Sequence, residues 1–372
     1  MRTVQIETLT PVHVGSGVEL QSNFEYLHFP DENCVVVIDE AKVLAILGEE
    51  NLPHWLACIE KKESLLQLLQ TRKPHLKADD VAARRIPLSK QGIAAGKAIR
   101  EHLHSGNGQT LLPGSSLKGA LRTVLLTHII RKNATDVADN LKIGVRKTDR
   151  KTNKERFEYN DTALMSEYIG KDPNTDILRL LQVGDVLFDH TQCVRTDVAN
   201  QQQDKSWALK PSIAQYVETI PKGQKALFRI NHATRLQERA GSLFNKNADL
   251  TDIETLFGLV NVHTQKLIDT DLDYWKNTAN SPTVLSGYLD AMNHLSDLVA
   301  ACDTQECILR LGYGTGYRTM TGDWHDILYD DDYYDLVKYI RTTHPETLLF
   351  PKTTRFTGLG EPLGFVRLRL KR

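Results

Sequence analysis

The chain has 372 residues, 41% of them hydrophobic and 25% charged, with a formal net charge of −1. This is the composition of an ordinary water-soluble protein, too long for one typical core, so two domains are expected. The balanced charge excludes a generally basic nucleic-acid coat protein; any nucleic-acid contact must come from basic residues gathered on one face.

The first residues, 2 to 10, alternate apolar and polar side chains and read as a strand. A loop follows at PVHVGSG, and EYLHF-PDEN-CVVVID reads as a hairpin turning at Pro30 to Asn33. Helical spacing covers 40–48 and 53–70, the stretch 71–89 looks basic and irregular, and 92–103 again looks helical. A short apolar approach, Leu111 and Leu112, leads into a helix running to about Arg131. Its apolar face is Leu117, Leu121, Leu125 and Ile129, with Ser115 or Ser116 as the expected N-cap. Residues 142–156 are strongly basic without periodicity and read as a flexible insertion. Residues 180–188 read as a buried strand or a pair of strands. The Gln-rich 196–212 is the expected linker, and 215–230 gives two strands around a Pro-Gly turn. Two long helices, at about 249–276 and 283–301, precede a strand that enters the glycine-rich RLGYGTGYRTMTG. The chain closes on TGLGEPLG and the strand FVRLRLKR. Both halves mix strands and helices, so two α+β domains are expected, 1–205 and 206–372.

Five cysteines, Cys34, Cys58, Cys193, Cys302 and Cys307, are odd in number and scattered. This fits neither a disulfide framework nor a zinc site and points to reduced thiols in a cytoplasm. No apolar run has the length of a signal or membrane-spanning segment. The acidic run Asp330 to Asp332 with Asp335 reads as a solvated loop rather than a cation site. No cofactor or metal is expected.

The stretch LLPGSSLKGALRT, 111–123, admits two readings. In one, a phosphate meets the free N–H groups at the helix start: Gly114 lets the backbone approach, Ser115 and Ser116 offer hydroxyls, and Lys118 and Arg122 share one helix face. In the other, it is an ordinary capped helix with two solvated cations. RLGYGTGYRTMTG has the order G-x-G-x-G, with Gly314 and Gly316 among tyrosines and Arg318 after them. Such spacing suits close passage of a ligand and stacking of bases, but not a dinucleotide fingerprint. A third glycine-rich loop carries Gly358 and Gly360, and a fourth, near the start, has His13 and Gly15. One enzyme site needs one glycine cradle, whereas a kinked phosphate backbone makes use of several. No metal-protease, serine-hydrolase or paired Cys/His signature is present, and Asp185 at a strand end reads as a cap.

TLTPVHVGSG, LLPGSSLKGALRT, RLGYGTGYRTMTG and GLGEPLGFVRLRL, in this order, resemble the RAMP superfamily of CRISPR-associated proteins. Within it, the set is similar to the fifth-subunit family of the type III-A (Csm) effector complex. The resemblance implies two ferredoxin-like (RRM-like) domains with helical insertions. It implies a non-catalytic subunit that binds the CRISPR RNA, caps its 3′ end and is needed for its maturation and for antiviral defence. The implied partners are the other Csm subunits, including the backbone subunit at that end, and a host nuclease. It also turns His13, Gly15, the Gly114–Arg122 residues and the late glycines into RNA-contacting positions. Phosphate contacts carry affinity without sequence preference, which suits a subunit accepting any spacer. Two other classes stay open: an endoribonuclease that trims the precursor itself, with His13 as general base, and an assembly scaffold without RNA contact.

Overall fold

Strand Arg2–Thr8 turns Val4, Ile6 and Thr8 inward, and this alternation seats it at the centre of a five-stranded sheet. It pairs antiparallel with Lys225–His232 on one side and with the terminal strand Phe365–Leu370 on the other. Leu181–Val183 and Glu306–Arg310 are the outer strands. The structure, a computed structural model, describes residues 1–61, 63–134, 145–148, 155–158, 162–201, 207–277, 285–319 and 353–371.

Two helices, Gly114–Lys132 and Ile253–Asn277, fill one face of this sheet. Leu117, Leu121 and Leu125 of the first meet Leu256, Phe257 and Val260 of the second over Val4 and Ile6. The second helix also closes the sheet edge. Asn261 donates to Glu306 O at 2.9 Å and accepts from Ile308 N at 3.1 Å, while the Thr264 hydroxyl donates to Ile308 O at 2.6 Å. Side chains thus occupy ladder positions that would otherwise invite another strand. On the opposite face, Ile308 and Phe365 pack with Ile268, Leu272 and Trp275 and with Tyr288, Met292 and Leu295 of helix Ser286–Ala300.

A second sheet runs Trp207–Leu209, Gln192–Gln201, Gln215–Thr219, Ile99–His102, Gly15–Leu20, with Thr353–Thr357 also paired to Gln192–Gln201. Between Leu20 and Ile99 the chain inserts a meander, Tyr26–Phe29, Cys34–Ile38 and Ala82–Pro87. The meander is backed by helices Glu40–Leu47, Leu52–Lys61 and Leu65–Arg72. Its first turn is made by Pro30 and by Asn33 at φ 47, and Asp39 caps the first of these helices through the N–H groups of Ala41 and Lys42. The architecture is α+β, two main sheets with a smaller meander and helical insertions, consistent with ferredoxin-like repeats.

Several expectations are corrected. The helix expected over 53–70 is two helices, because the Ser64 hydroxyl caps a new start by accepting from Gln67 N. The stretch 71–89 contains strand Ala82–Pro87; its inward position 84 is an arginine, which breaks the apolar alternation. Residues 92–103 are not helical: Gly92 and Gly96 lie at φ 60 and 70, and the segment ends as strand Ile99–His102. The presumed linker is mostly strand, with Thr196 to Asn200 buried and bonded to Thr353–Thr357. In the basic insertion Val145–Thr148 pairs with Glu155–Glu158, since ladder bonds need no apolar pattern. Strands from both sides of 205/206 share the five-stranded and the six-stranded sheet, Arg2–Thr8 lying between Lys225–His232 and Phe365–Leu370. The acidic run 330–335 lies outside the described residues.

Candidate nucleic-acid interface

Three of the glycine-bearing segments, far apart in sequence, are bonded to one another through their backbones. Tyr313 N donates to His13 O and Gly364 N to Pro11 O, both at 2.9 Å, and Leu311 N donates to Gly364 O at 2.9 Å. Gly364 has φ 89, and a Cβ there would lie 2.2 Å from Leu311 O, so only glycine lets these loops lie so close. The approach to the Gly114 helix joins the same place. Leu103 N donates to Val14 O and Leu111 N to Leu103 O. The buried His102 ring bridges the two segments: its Nδ1 accepts from Val14 N at 3.3 Å and its Nε2–H donates to Leu111 O at 3.1 Å.

The sequence-predicted residues fall into different settings here. Gly15 and Gly316 are exposed, Gly314, Arg318 and Gly358 half-buried, and Gly360 buried with its N–H on Thr357 O. His13 is 3% exposed, its Nδ1 2.6 Å from Glu218 O, and burial lowers its pKa. It packs edge-on against His102 and Tyr313, with ring centres 5.6 and 5.5 Å away. It therefore supports the loops from within.

At the helix start, neither Ser115 nor Ser116 is the N-cap. Pro113 holds that position without a side-chain bond, and the Asp185 carboxylate reaches in to accept from Gly114 N at 2.7 Å. A Cβ on Gly114 would lie 2.2 Å from Val183 O, so this glycine serves the contact with the Val183–Asp185 corner. A negative charge from the protein itself thus meets the positive helix end. Arg122 pairs with Asp176, which also caps the turn Ile177–Leu180 through Leu178 N. Lys118 lies close by, where burial lowers its pKa and Asp176 opposes that effect. Ser115 is exposed and Ser116 half-buried.

Beneath the loops sits a charge cluster the sequence reading missed. Both Glu218 oxygens, 0% exposed, are held by the Arg84 fork, and Arg84 Nη2 also reaches Glu101 at 2.8 Å. His102 N donates to Glu218 Oε2 at 3.1 Å, and His104 Nε2 is 3.5 Å from Oε1. Burial by itself would raise the Glu218 pKa; the bonds from His104 and Arg84 outweigh it and hold the carboxyl at about 2. For His102, burial leads and the neighbouring His13 adds, bringing the ring down to about 3. The available signal was a carboxylate directly after the apolar pair Tyr216 and Val217 within the strand Gln215–Thr219.

Above this cluster, the guanidinium carbons of Arg100 and Arg355 lie over the Tyr313 ring, 5.2 and 5.3 Å from its centre. The Tyr313 hydroxyl donates to Gln215 Oε1. Among the described residues no His, Cys, Asp and Glu group is arranged to hold a metal, and the five cysteines are free thiols. No described helix is long and apolar enough to cross a membrane.

A family profile described as the RAMP superfamily matches residues 5–318. One similar solved chain comes from a cryo-EM structure of a Csm–crRNA–target RNA ternary complex of a type III-A CRISPR-Cas system. It is 18% identical, with a TM-score of 0.71 over 100% of both chains. A second is the crystal structure of T. onnurineus Csm5, 17% identical, with a TM-score of 0.62 over 98% of this chain and 100% of that one. No curated protein matches in sequence. At these identities the two structures share the fold.

Proposed function

The chain belongs to the RAMP superfamily, and on that premise we propose that it is a non-catalytic RNA-binding subunit of a type III-A (Csm) CRISPR ribonucleoprotein. In this reading it sits on the 3′ end of the CRISPR RNA, next to the backbone subunit, and its presence there is needed for maturation of that end by a host nuclease. Its place of work is the cytoplasm. The observation that carries the reading is the meeting of the glycine-bearing segments at a basic, tyrosine-centred surface. An end-to-end likeness to a chain of an RNA-bound Csm complex supports it. Glycine loops let a strand pass close to the backbone, and cations over an aromatic ring hold phosphate and base without reading sequence.

The test is to recover the tagged chain from its native host, sequence the bound RNA and locate the crosslinks. Spacer-containing RNA crosslinked near its 3′ end is the expected result; partner proteins recovered without enriched RNA would return the chain to a scaffold. A second reading, ribonuclease, is favoured by the grouping of His13, His102 and His104 with Glu218. Cleavage of precursor RNA by the isolated chain, abolished by His13→Ala, would establish it.

A further inference from the structure

Among the described residues, several arginines are closely matched by carboxylates, and two that share one aromatic ring are not. Arg84, Arg85, Arg122, Arg195 and Arg369 each have a carboxylate oxygen within 3.1 Å. Arg355 instead donates to the Thr196 hydroxyl at 2.8 Å. Asp197, the acid that draws on Arg355 through space, is already forked by Arg195 Nε and Nη2 at 3.0 and 2.8 Å. Arg100 has Glu19 at 3.3 Å, a carboxylate 50% exposed and screened by water, and its Nε is buried without a partner. The two guanidiniums also repel each other, yet the Tyr313 ring holds both. Counting Arg195, three guanidiniums share two carboxylates, whereas Arg84 and Arg85 each have two of their own.

Among the described residues, the surroundings leave room for a chain-like ligand: Gly15, Gly17 and Val18 are exposed on the strand that carries Glu19, and no described atom lies within 4 Å of a Cβ at Gly316. On the other side the Arg355 stem packs against Gly314, where a Cβ would lie 3.2 Å from it. A Cβ at 314 would also lie 2.6 Å from Leu363 Cδ1, so a larger residue there would crowd both that side chain and the Arg355 stem. Beneath, the Tyr313 hydroxyl bond to Gln215 and backbone bond to His13 fix the ring. This is a preorganised anion seat, with two planar forks set on a rigid ring and a polar, glycine-lined approach.

We propose that Arg100 and Arg355, stacked on Tyr313, form a seat for a phosphodiester group of a single RNA strand. The assignment rests on the RNA-binding reading and identifies its centre with residues outside the glycine motifs.

The experiment measures binding of a single-stranded RNA oligonucleotide of arbitrary sequence to the full chain across a salt series. Arg100→Gln plus Arg355→Gln should weaken binding about 20-fold at 0.1 M salt and lower the salt slope by about 1.4, two contacts at ~0.7 each. Arg100→Lys plus Arg355→Lys should keep most of the slope. On the unmutated chain, RNA should protect Arg100 from phenylglyoxal at concentrations where inorganic phosphate does not, which decides the matter even if the double variant does not fold. An unchanged slope with Arg100 unprotected overturns the seat while leaving RNA binding standing. No RNA binding by the unmutated chain removes the RNA-binding reading and the seat together. RNA binding kept with loss of partner subunits makes the pair a seat for a protein carboxylate and also overturns the proposal.

Discussion

The start of the Gly114–Lys132 helix and the Tyr313 platform are both basic, and they treat charge in opposite ways. At the helix, Asp185 meets the N-terminus and Asp176 holds Arg122, so the cations are spent on joining distant segments. At the platform, Arg100 and Arg355 share a ring, with a water-exposed Glu19 and an already engaged Asp197 for company. A basic motif in a sequence therefore says little about binding until its counter-charges are known. Matched cations hold the fold, and the proposed seat is built from a pair that is less fully matched.

The largest effect should come from the most fully matched charge. Glu218→Ala leaves Arg84 facing a buried void and should cost about 3–5 kcal/mol, read by urea denaturation. The two platform arginines, replaced by glutamine, should cost no more than about 1 kcal/mol each. Similar losses in both places would erase the distinction between matched and unmatched cations. Next comes Gly364→Ala, which combines a positive φ with a clash against Leu311 O and should cost about 3 kcal/mol. Gly316→Ala, at φ 90 but in open space, should cost only about 1 kcal/mol. Equal costs would mean the loops are not packed as described.

The His102 ring sharpens the same contrast by pH. Its folded pKa, about 3, lies below the unfolded 6.5, so the unfolded chain takes up a proton first as pH falls. Its contribution is complete above 6.5 and is lost as pH drops toward 3, amounting to about 1.5 kcal/mol between pH 6.5 and 5. His102→Gln should flatten the stability curve over that range by this amount. A variant curve parallel to that of the natural chain would show that the ring titrates normally.

How legible this was in the sequence depends on where each pattern's partner lies. Strand Arg2–Thr8, the hairpin around Pro30 to Asn33 and the two long helices carry their own periodicity and turn residues, and the structure has them close to their expected bounds. Strand Ala82–Pro87 was hidden because its inward arginine is answered by Glu218, more than a hundred positions away. Thr196 to Asn200 looked like a linker because a buried strand with polar side chains gives no apolar alternation. At the interface, the glycine segments were visible from composition, and their bonding to one another was not. Arg100 and Arg355 lie on strands of one sheet and Tyr313 reaches them from a loop bonded to His13 O, so no spacing rule connects the three.

The smallest effect is the most discriminating for the helix. Asp185→Asn keeps an oxygen near Gly114 N and removes the charge, so it should cost only about 1 kcal/mol or less. It also turns a matched basic site into an unmatched one, because the helix end, Lys118 and the exposed Ser115 then have Asp176 as their remaining acid. Inorganic phosphate should accordingly raise the Tm of the variant more than that of the natural chain, since an anion can take the place the carboxylate has left. If both respond alike, the Asp185 carboxylate was not what closed this end, and the phosphate-cradle reading of PGSSLKGALR applies to the natural helix as it stands.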